Sequence, residues 1–143
     1  MQFATFHDLE DQSIFITGGG SGIGADLTKG FLSQGSKVTF IQRSNPEKFL
    51  IDCKGKYKHE PSFLECDVTN TKELKTALQR TAKKQGPISV LVNNAANDTR
   101  HSLGEFTSEQ WDKTMNVNLK PHFFAAQEVV EGMKKNGGGS IIN

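Results

Sequence analysis

The stretch SIFITGGGSGIGADL, residues 13–27, carries four apolar or β-branched residues straight into a cluster of glycines. A helix-like segment follows at once. Any tight strand-to-helix turn favours glycine, because a residue without Cβ reaches backbone conformations closed to others. Gly18, Gly22 and Gly24 span both the turn and the first turn of the helix. Placed so, they let bare backbone N–H groups close on a pyrophosphate, and they let helix and strand pack tightly. The positive end of the helix dipole faces the same point. The stretch predicts a strand, an anion-holding glycine turn and a helix, in that order. On pattern alone, a plain tight turn is the competing reading.

The same alternation runs through the rest of the chain. SIFIT (13–17), KVTFI (37–41), PSFLEC (61–66), ISVLV (88–92) and SIIN (140–143) read as short buried strands. Helix-like segments lie between them at 23–34, 45–54 and 69–84, with one long helix at 108–135. In the third segment Leu74, Ala77, Leu78 and Ala82 share a face, and Asn70 or Thr69 caps the start with Glu73 in the first turn. Strands separated by helices imply right-handed crossovers and a mostly parallel sheet covered on both faces, an α/β fold.

At 143 residues the chain suffices for one domain with a real core. Seventeen basic and sixteen acidic residues leave a net charge of +1, scattered rather than striped, so there is no electrostatic case for nucleic acid. No apolar run approaches the length of a bilayer span, and MQFATFHDLEDQS does not read as a signal peptide. Cys53 and Cys66 show no pairing pattern, which suits a reducing interior and a cytoplasmic protein. No metal site is expected, since His101 has no second ligand at zinc-like spacing. His7, His59 and His122 read as surface. Trp111, Met115 and Phe123 or Phe124 are expected in the core or at a subunit interface. Asn143 stands inside what reads as a strand, so the expectation is an incomplete domain over 1–143, truncated at its C-terminal side.

TGGGSGIG has the form Thr-Gly-x-x-x-Gly-x-Gly; CDV (66–68) closes the third strand, NNAA (93–96) the fourth, and NVNL (116–119) sits in the long helix. Four motifs in this order resemble the N-terminal half of the short-chain dehydrogenase/reductase family, from about Leu9 to Asn143. The resemblance implies a doubly wound, Rossmann-type parallel sheet of strand order 3-2-1-4-5, without its C-terminal strands. It places Gly18, Ser21, Ile23 and Gly24 along the pyrophosphate, Asp67 and Val68 at the adenine, and Asn93 and Ala95 at the adenosine ribose. Asn94 braces the central strand. Asn118 matches the family asparagine that helps hold a water linked to the catalytic lysine. Read singly, Asp67 is equally a helix cap and Asn118 a local hydrogen-bonding residue.

Gln42 stands where an acidic residue at the end of the second strand would accept both ribose hydroxyls of NAD. Arg43 follows it and can fork onto a 2′-phosphate, with Ser44 as a further donor, and no Asp or Glu appears before Glu47. NADP is therefore favoured over NAD; Arg43 as a solvated loop cation, with either cofactor accepted, is the competing reading. The family moves hydride between nicotinamide and a secondary alcohol or carbonyl, using Ser to hold the substrate oxygen and Tyr-x-x-x-Lys for the proton. The only tyrosine here is Tyr57, with Pro61 four residues on. Of the catalytic set, Asn118 alone is matched, so the chain as given is expected to carry a cofactor site without turnover.

NNAANDTRH and MKKNGGGSIIN resemble the aldose dehydrogenase branch, which oxidises pentoses such as xylose or arabinose at C1. Asp98, Arg100 and His101 then rim the active-site mouth, where polar groups suit a polyhydroxylated substrate. A 3-oxoacyl or other carbonyl reductase, and a non-catalytic nucleotide-binding remnant, stay open. The resemblance further implies a homodimer or homotetramer at full length, with a small-molecule substrate and neither nucleic acid nor membrane as partner.

Overall fold

A computed structural model describes residues 4–143. Five strands, β1 (Ser13–Thr17), β2 (Lys37–Gln42), β3 (Ser62–Glu65), β4 (Ile88–Val92) and β5 (Ser140–Ile142), form one parallel sheet in the order β3-β2-β1-β4-β5. The connecting helices are α1 (Gly22–Ser33), α2 (Glu47–Cys53), α3 (Thr71–Gln85), α4 (Ser108–Asn118) and α5 (Lys120–Lys135). This is the doubly wound order expected. Among the described residues no helix is long and apolar enough to cross a membrane.

Successive side chains of a strand point to opposite faces, so a strand covered on both sides is apolar through its middle, and polar residues buried at its ends must find hydrogen bonds. β1 obeys this. Ile14 and Ile16 join Leu32, Val38, Phe40 and Val92 under α1 and α2, while Phe15 joins Ile41, Leu74, Leu78 and Leu91 under α3 and α5. Two cores therefore share one sheet, and the run SIFIT is buried along its whole length.

Three expectations need correction. The single helix at 108–135 is two helices, broken at Leu119 with φ −127° and ψ −52°. Pro121 explains the break: it has no N–H to give, and its ring excludes the carbonyl four residues back, so it fits only in a first helical turn. Trp111 is 55 % exposed and Phe123 63 %, so the core alternative fails for both while the interface alternative stays open. His122 is not a surface residue; it is half-buried and its Nε2 has no hydrogen-bond partner among the described residues. Burial holds its pKa below the ordinary histidine value.

Element ends follow their capping chemistry. Asn70 caps α3 by accepting from the Glu73 N–H at 3.2 Å, and Thr107 and Gln110 form a capping box on α4. On α3, Thr81 rather than Ala82 completes the buried face, with its hydroxyl donating to the Ala77 carbonyl at 2.9 Å.

Candidate nucleotide-binding cleft

In an open parallel sheet the crevice forms where the chain leaves in opposite directions from neighbouring strands. Here β1 leads outward to β2 and β3, while β4 leads to β5. A cleft of about 820 Å³ opens at the carboxyl ends of these strands. Its walls come mainly from four segments at strand ends, with Val117 of α4 beside them. The glycine turn gives Gly18, Ser21, Ile23 and Gly24; the end of β2 gives Gln42, Arg43 and Ser44; the segment after β3 gives Cys66, Asp67, Val68 and Thr69; the segment after β4 gives Asn94, Ala95 and Asn97.

The glycine turn is built by close approach. Gly18 and Gly22 adopt φ of +70° and +50°, which a side chain would strain. At Gly24 a Cβ would run into the Gly18 carbonyl and lie 2.6 Å from Asn94 Nδ2. The Thr28 hydroxyl on α1 donates to the Gly19 carbonyl at 2.8 Å, and the Gly18 N–H donates to the Ile41 carbonyl at 2.7 Å. The turn is thus fixed from both sides before any ligand arrives.

Asp67 accepts at one oxygen from the Thr69 N–H at 2.9 Å and the Thr69 hydroxyl at 2.8 Å. The Thr69 backbone bond, with help from that hydroxyl and the Arg43 charge, holds its carboxyl below the usual range. Val68 packs against the core beneath α3. Burial pushes the Cys66 thiol up to about 11, so it is no nucleophile at neutral pH. Arg43 is exposed on the cleft wall.

Two expected residues take other places. Asn93 is 5 % exposed and is not part of the cleft wall. Its N–H donates to the Ile142 carbonyl at 2.8 Å and its Nδ2 to Asn143 Oδ1 at 2.7 Å, so it faces β5. Side chains alternate along the end of β4, and Asn94 takes the side facing the glycine turn. Asn118 also stands off the cleft wall and acts on its neighbour: Oδ1 accepts from the Asn97 N–H at 2.7 Å and Nδ2 donates to the Asn97 carbonyl at 3.0 Å. Asp98, Arg100 and His101 lie exposed on the loop beyond Asn97, with the His101 ring 4.9 Å from that of Phe106. Thr28, which no motif singled out, and Thr17, which opens the Thr-Gly-x-x-x-Gly-x-Gly motif but was given no role, prove to be the hydroxyls that fix the site.

A doubly wound sheet whose glycine turn opens on the crevice at its carboxyl edge defines a Rossmann-type domain. The chain belongs to the short chain dehydrogenase family, whose profile matches residues 12–143. It is 40% identical over 141 residues to a probable galactose dehydrogenase of Rhizobium meliloti, covering 96% of this chain and 55% of that protein. It is 40% identical over 144 residues to a D-xylose 1-dehydrogenase of Caulobacter vibrioides, covering 100% of this chain and 56% of that protein. The chain thus spans about half the length of these curated relatives. Among solved structures, the ligand-free aldohexose dehydrogenase of Thermoplasma acidophilum superposes with a TM-score of 0.80 at 31% identity, over 95% of this chain and 49% of that one. A blue fluorescent protein from a metagenomic library, solved with NADPH, superposes at 0.79 and 27% identity, over 87% and 52%.

Proposed function

We propose that this chain is the cofactor-binding part of an NAD(P)-dependent dehydrogenase, that it prefers NADP(H) to NAD(H), and that the complete enzyme oxidises an aldose at its C1 hydroxyl. The observation that carries the reading is the convergence on one cleft of the glycine turn, the Arg43–Ser44 loop and Asp67–Val68. The cradle fits a dinucleotide: Gly18 and Gly24 leave no room for side chains, and backbone N–H groups at the start of α1 meet the diphosphate there. Gly18, Ser21, Ile23 and Gly24 hold the pyrophosphate, Asp67 and Val68 the adenine, Ala95 the ribose, and Arg43 the 2′-phosphate. The nicotinamide, when bound, gives or takes hydride. Asn93 acts as a brace between β4 and β5, and Asn118 positions the loop that begins at Asn97.

Tyr57 lines a separate pocket at the amino ends of β1 and β2, together with Glu10 and Gly35, at the far edge of the sheet from the cleft. The 143 residues hold no Tyr-x-x-x-Lys, and on this reading they bind a dinucleotide weakly at best and turn no substrate over. The relatives named for galactose, xylose and aldohexose support a sugar substrate, with Asp98, Arg100 and His101 at the rim of its site. The neighbour solved with NADPH supports the cofactor. Exposed Trp111 and Phe123 support a homodimer or homotetramer, and free buried Cys53 and Cys66 support a reducing, cytoplasmic setting.

The test is a fluorescence titration of the full-length protein with NADPH and NADH, followed by turnover on D-xylose, D-galactose and a 3-oxoacyl thioester. Tighter binding of NADPH and oxidation of an aldose are expected. No response to either nucleotide overturns the cofactor reading; turnover of the thioester alone overturns the sugar.

A further inference from the structure

The side chain of Gln42 reaches both loops that flank it. Its Oε1 accepts from the Gly20 N–H at 3.0 Å, and its Nε2 donates to the Ser44 carbonyl at 2.8 Å and, more weakly, to Ser44 Oγ at 3.4 Å. The amide therefore has an acceptor engaged at one end and a donor at the other. Room for it comes from Gly20. That residue is not in the left-handed region, yet a Cβ there would lie 2.5 Å from Gln42 Oε1 and 2.9 Å from the Phe40 ring. Occupied volume, not backbone conformation, keeps position 20 free of a side chain.

We propose that Gln42 is a positioning residue for cofactor choice: its amide clasps the glycine turn to the loop that carries Arg43 and Ser44, and so presents both to a 2′-phosphate on the adenosine ribose. The proposal rests on the NADP reading above. Only a side chain that carries a donor and an acceptor on one terminal carbon, at the reach of a glutamine stem, can make this clasp. A carboxylate would hold the Gly20 N–H but turn a second anionic oxygen towards the Ser44 carbonyl, and an apolar chain would hold neither. The clasp is neutral, so it adds no charge against a phosphate. Because Ser44 Oγ receives a hydrogen from Gln42, its own hydroxyl proton stays free to donate outward. Arg43 shares the cleft wall with it.

The experiment titrates the full-length protein and its variants Gln42→Met, Gln42→Asn and Gly20→Ala with NADPH and NADH, and reads the ratio of the two dissociation constants. Gln42→Met removes all three hydrogen bonds, and Gly20→Ala evicts the same amide from the other side. Each is expected to weaken NADPH about tenfold more than NADH, since the loop with Arg43 and Ser44 meets the 2′ substituent alone, whereas the glycine turn, also released, serves both cofactors equally. Gln42→Asn, too short to span the loops, carries the test if Gln42→Met does not fold. A residue that merely stabilised the fold would lower the melting temperature and leave the ratio unchanged. If the parent protein prefers NADPH and every variant keeps that ratio, the clasp is wrong and the cofactor reading survives. If the parent protein shows no preference for NADPH, both fall.

Discussion

Thr17 and Asn94 lock the carboxyl ends of β1 and β4 together in both directions. The Asn94 Nδ2 donates to the carbonyls of Thr17 at 3.0 Å and Gly18 at 3.2 Å. In return, the Thr17 hydroxyl accepts from the backbone N–H groups of Asn94 and Ala95, each at 2.9 Å. A strand end normally leaves such groups to water. Here one hydroxyl and one amide absorb four of them, at the point where the crevice between β1 and β4 begins.

The first prediction follows from that lock. Thr17 is 1 % exposed, so Thr17→Val keeps the shape but strands two part-buried N–H donors, at a cost of about 3 kcal/mol. Thr17→Ser keeps the acceptor and gives up one methyl, at about 1 kcal/mol. Urea denaturation with an unchanged slope reads the difference. A valine variant as stable as the serine variant would show that packing, not the hydroxyl, joins the strands.

Two glycines of α1 are expected to respond with opposite signs. Alanine is the best helix former, so at exposed Gly30, where a Cβ meets nothing within 4 Å, Gly30→Ala stabilises by about 0.5–1 kcal/mol. At Gly24 the same change drives a Cβ into the Gly18 carbonyl, costs about 2 kcal/mol or more, and displaces the glycine turn. Thermal melts and an NADPH titration of the two variants check it. Equal effects would mean that α1 stands farther from β1 than described.

The parallel sheet covered on both faces was legible from βαβ alternation and buried apolar runs such as ISVLV, whereas the strand order β3-β2-β1-β4-β5 came only from the family resemblance. The residues of the cleft wall were likewise named through the resemblance; what the pattern explains is why Gly18, Gly24, Asp67 and Ala95 meet, since all follow strand ends and a parallel sheet brings such ends together. What sequence could not convey was direction. Asn93 and Asn94 are the same residue type side by side, yet the pleat turns one to β5 and the other to the glycine turn. Pro121 within an apolar helical period was a visible break, and periodicity alone overrode it at 108–135. The half-burial of His122 depends on how α5 seats after that break.

Acid should unpin the turn that leads into β1. Asp11, at φ 60°, accepts from Lys58 Nζ at 2.9 Å and His59 Nε2 at 2.6 Å, and these bonds lower its carboxyl from 3.8 to about 2. A group with a depressed folded pKa adds stability above its unfolded value and loses it as the pH falls through the folded one. The contribution is thus present above 3.8 and gone near 2. Asp11→Asn suits the same left-handed backbone but carries no charge. The gap in melting temperature between parent and variant should close between about pH 5 and pH 2 and shrink with added salt. A gap that stays constant with pH would remove the ion pairs as its source.

Asn118 gives the last and most local test. The family resemblance places a water-holding asparagine at this position, whereas the amide here is engaged at both ends by the backbone of Asn97. From Ala96 to Ser102 the chain has no regular structure, so this two-point clamp is what fixes the start of the loop that carries Asp98, Arg100 and His101. Asn118→Ala releases both bonds, and the Asn97 N–H should exchange with solvent about ten- to a hundredfold faster while global stability falls by about 1 kcal/mol. Asn118→Asp should be at least as disruptive, because it keeps the acceptor for the Asn97 N–H but sets an anionic oxygen against the Asn97 carbonyl, where the amide donated. If the Asn97 N–H exchanged at one rate in all three proteins, the clamp would not persist in solution, and Asn118 would have its amide free for another ligand.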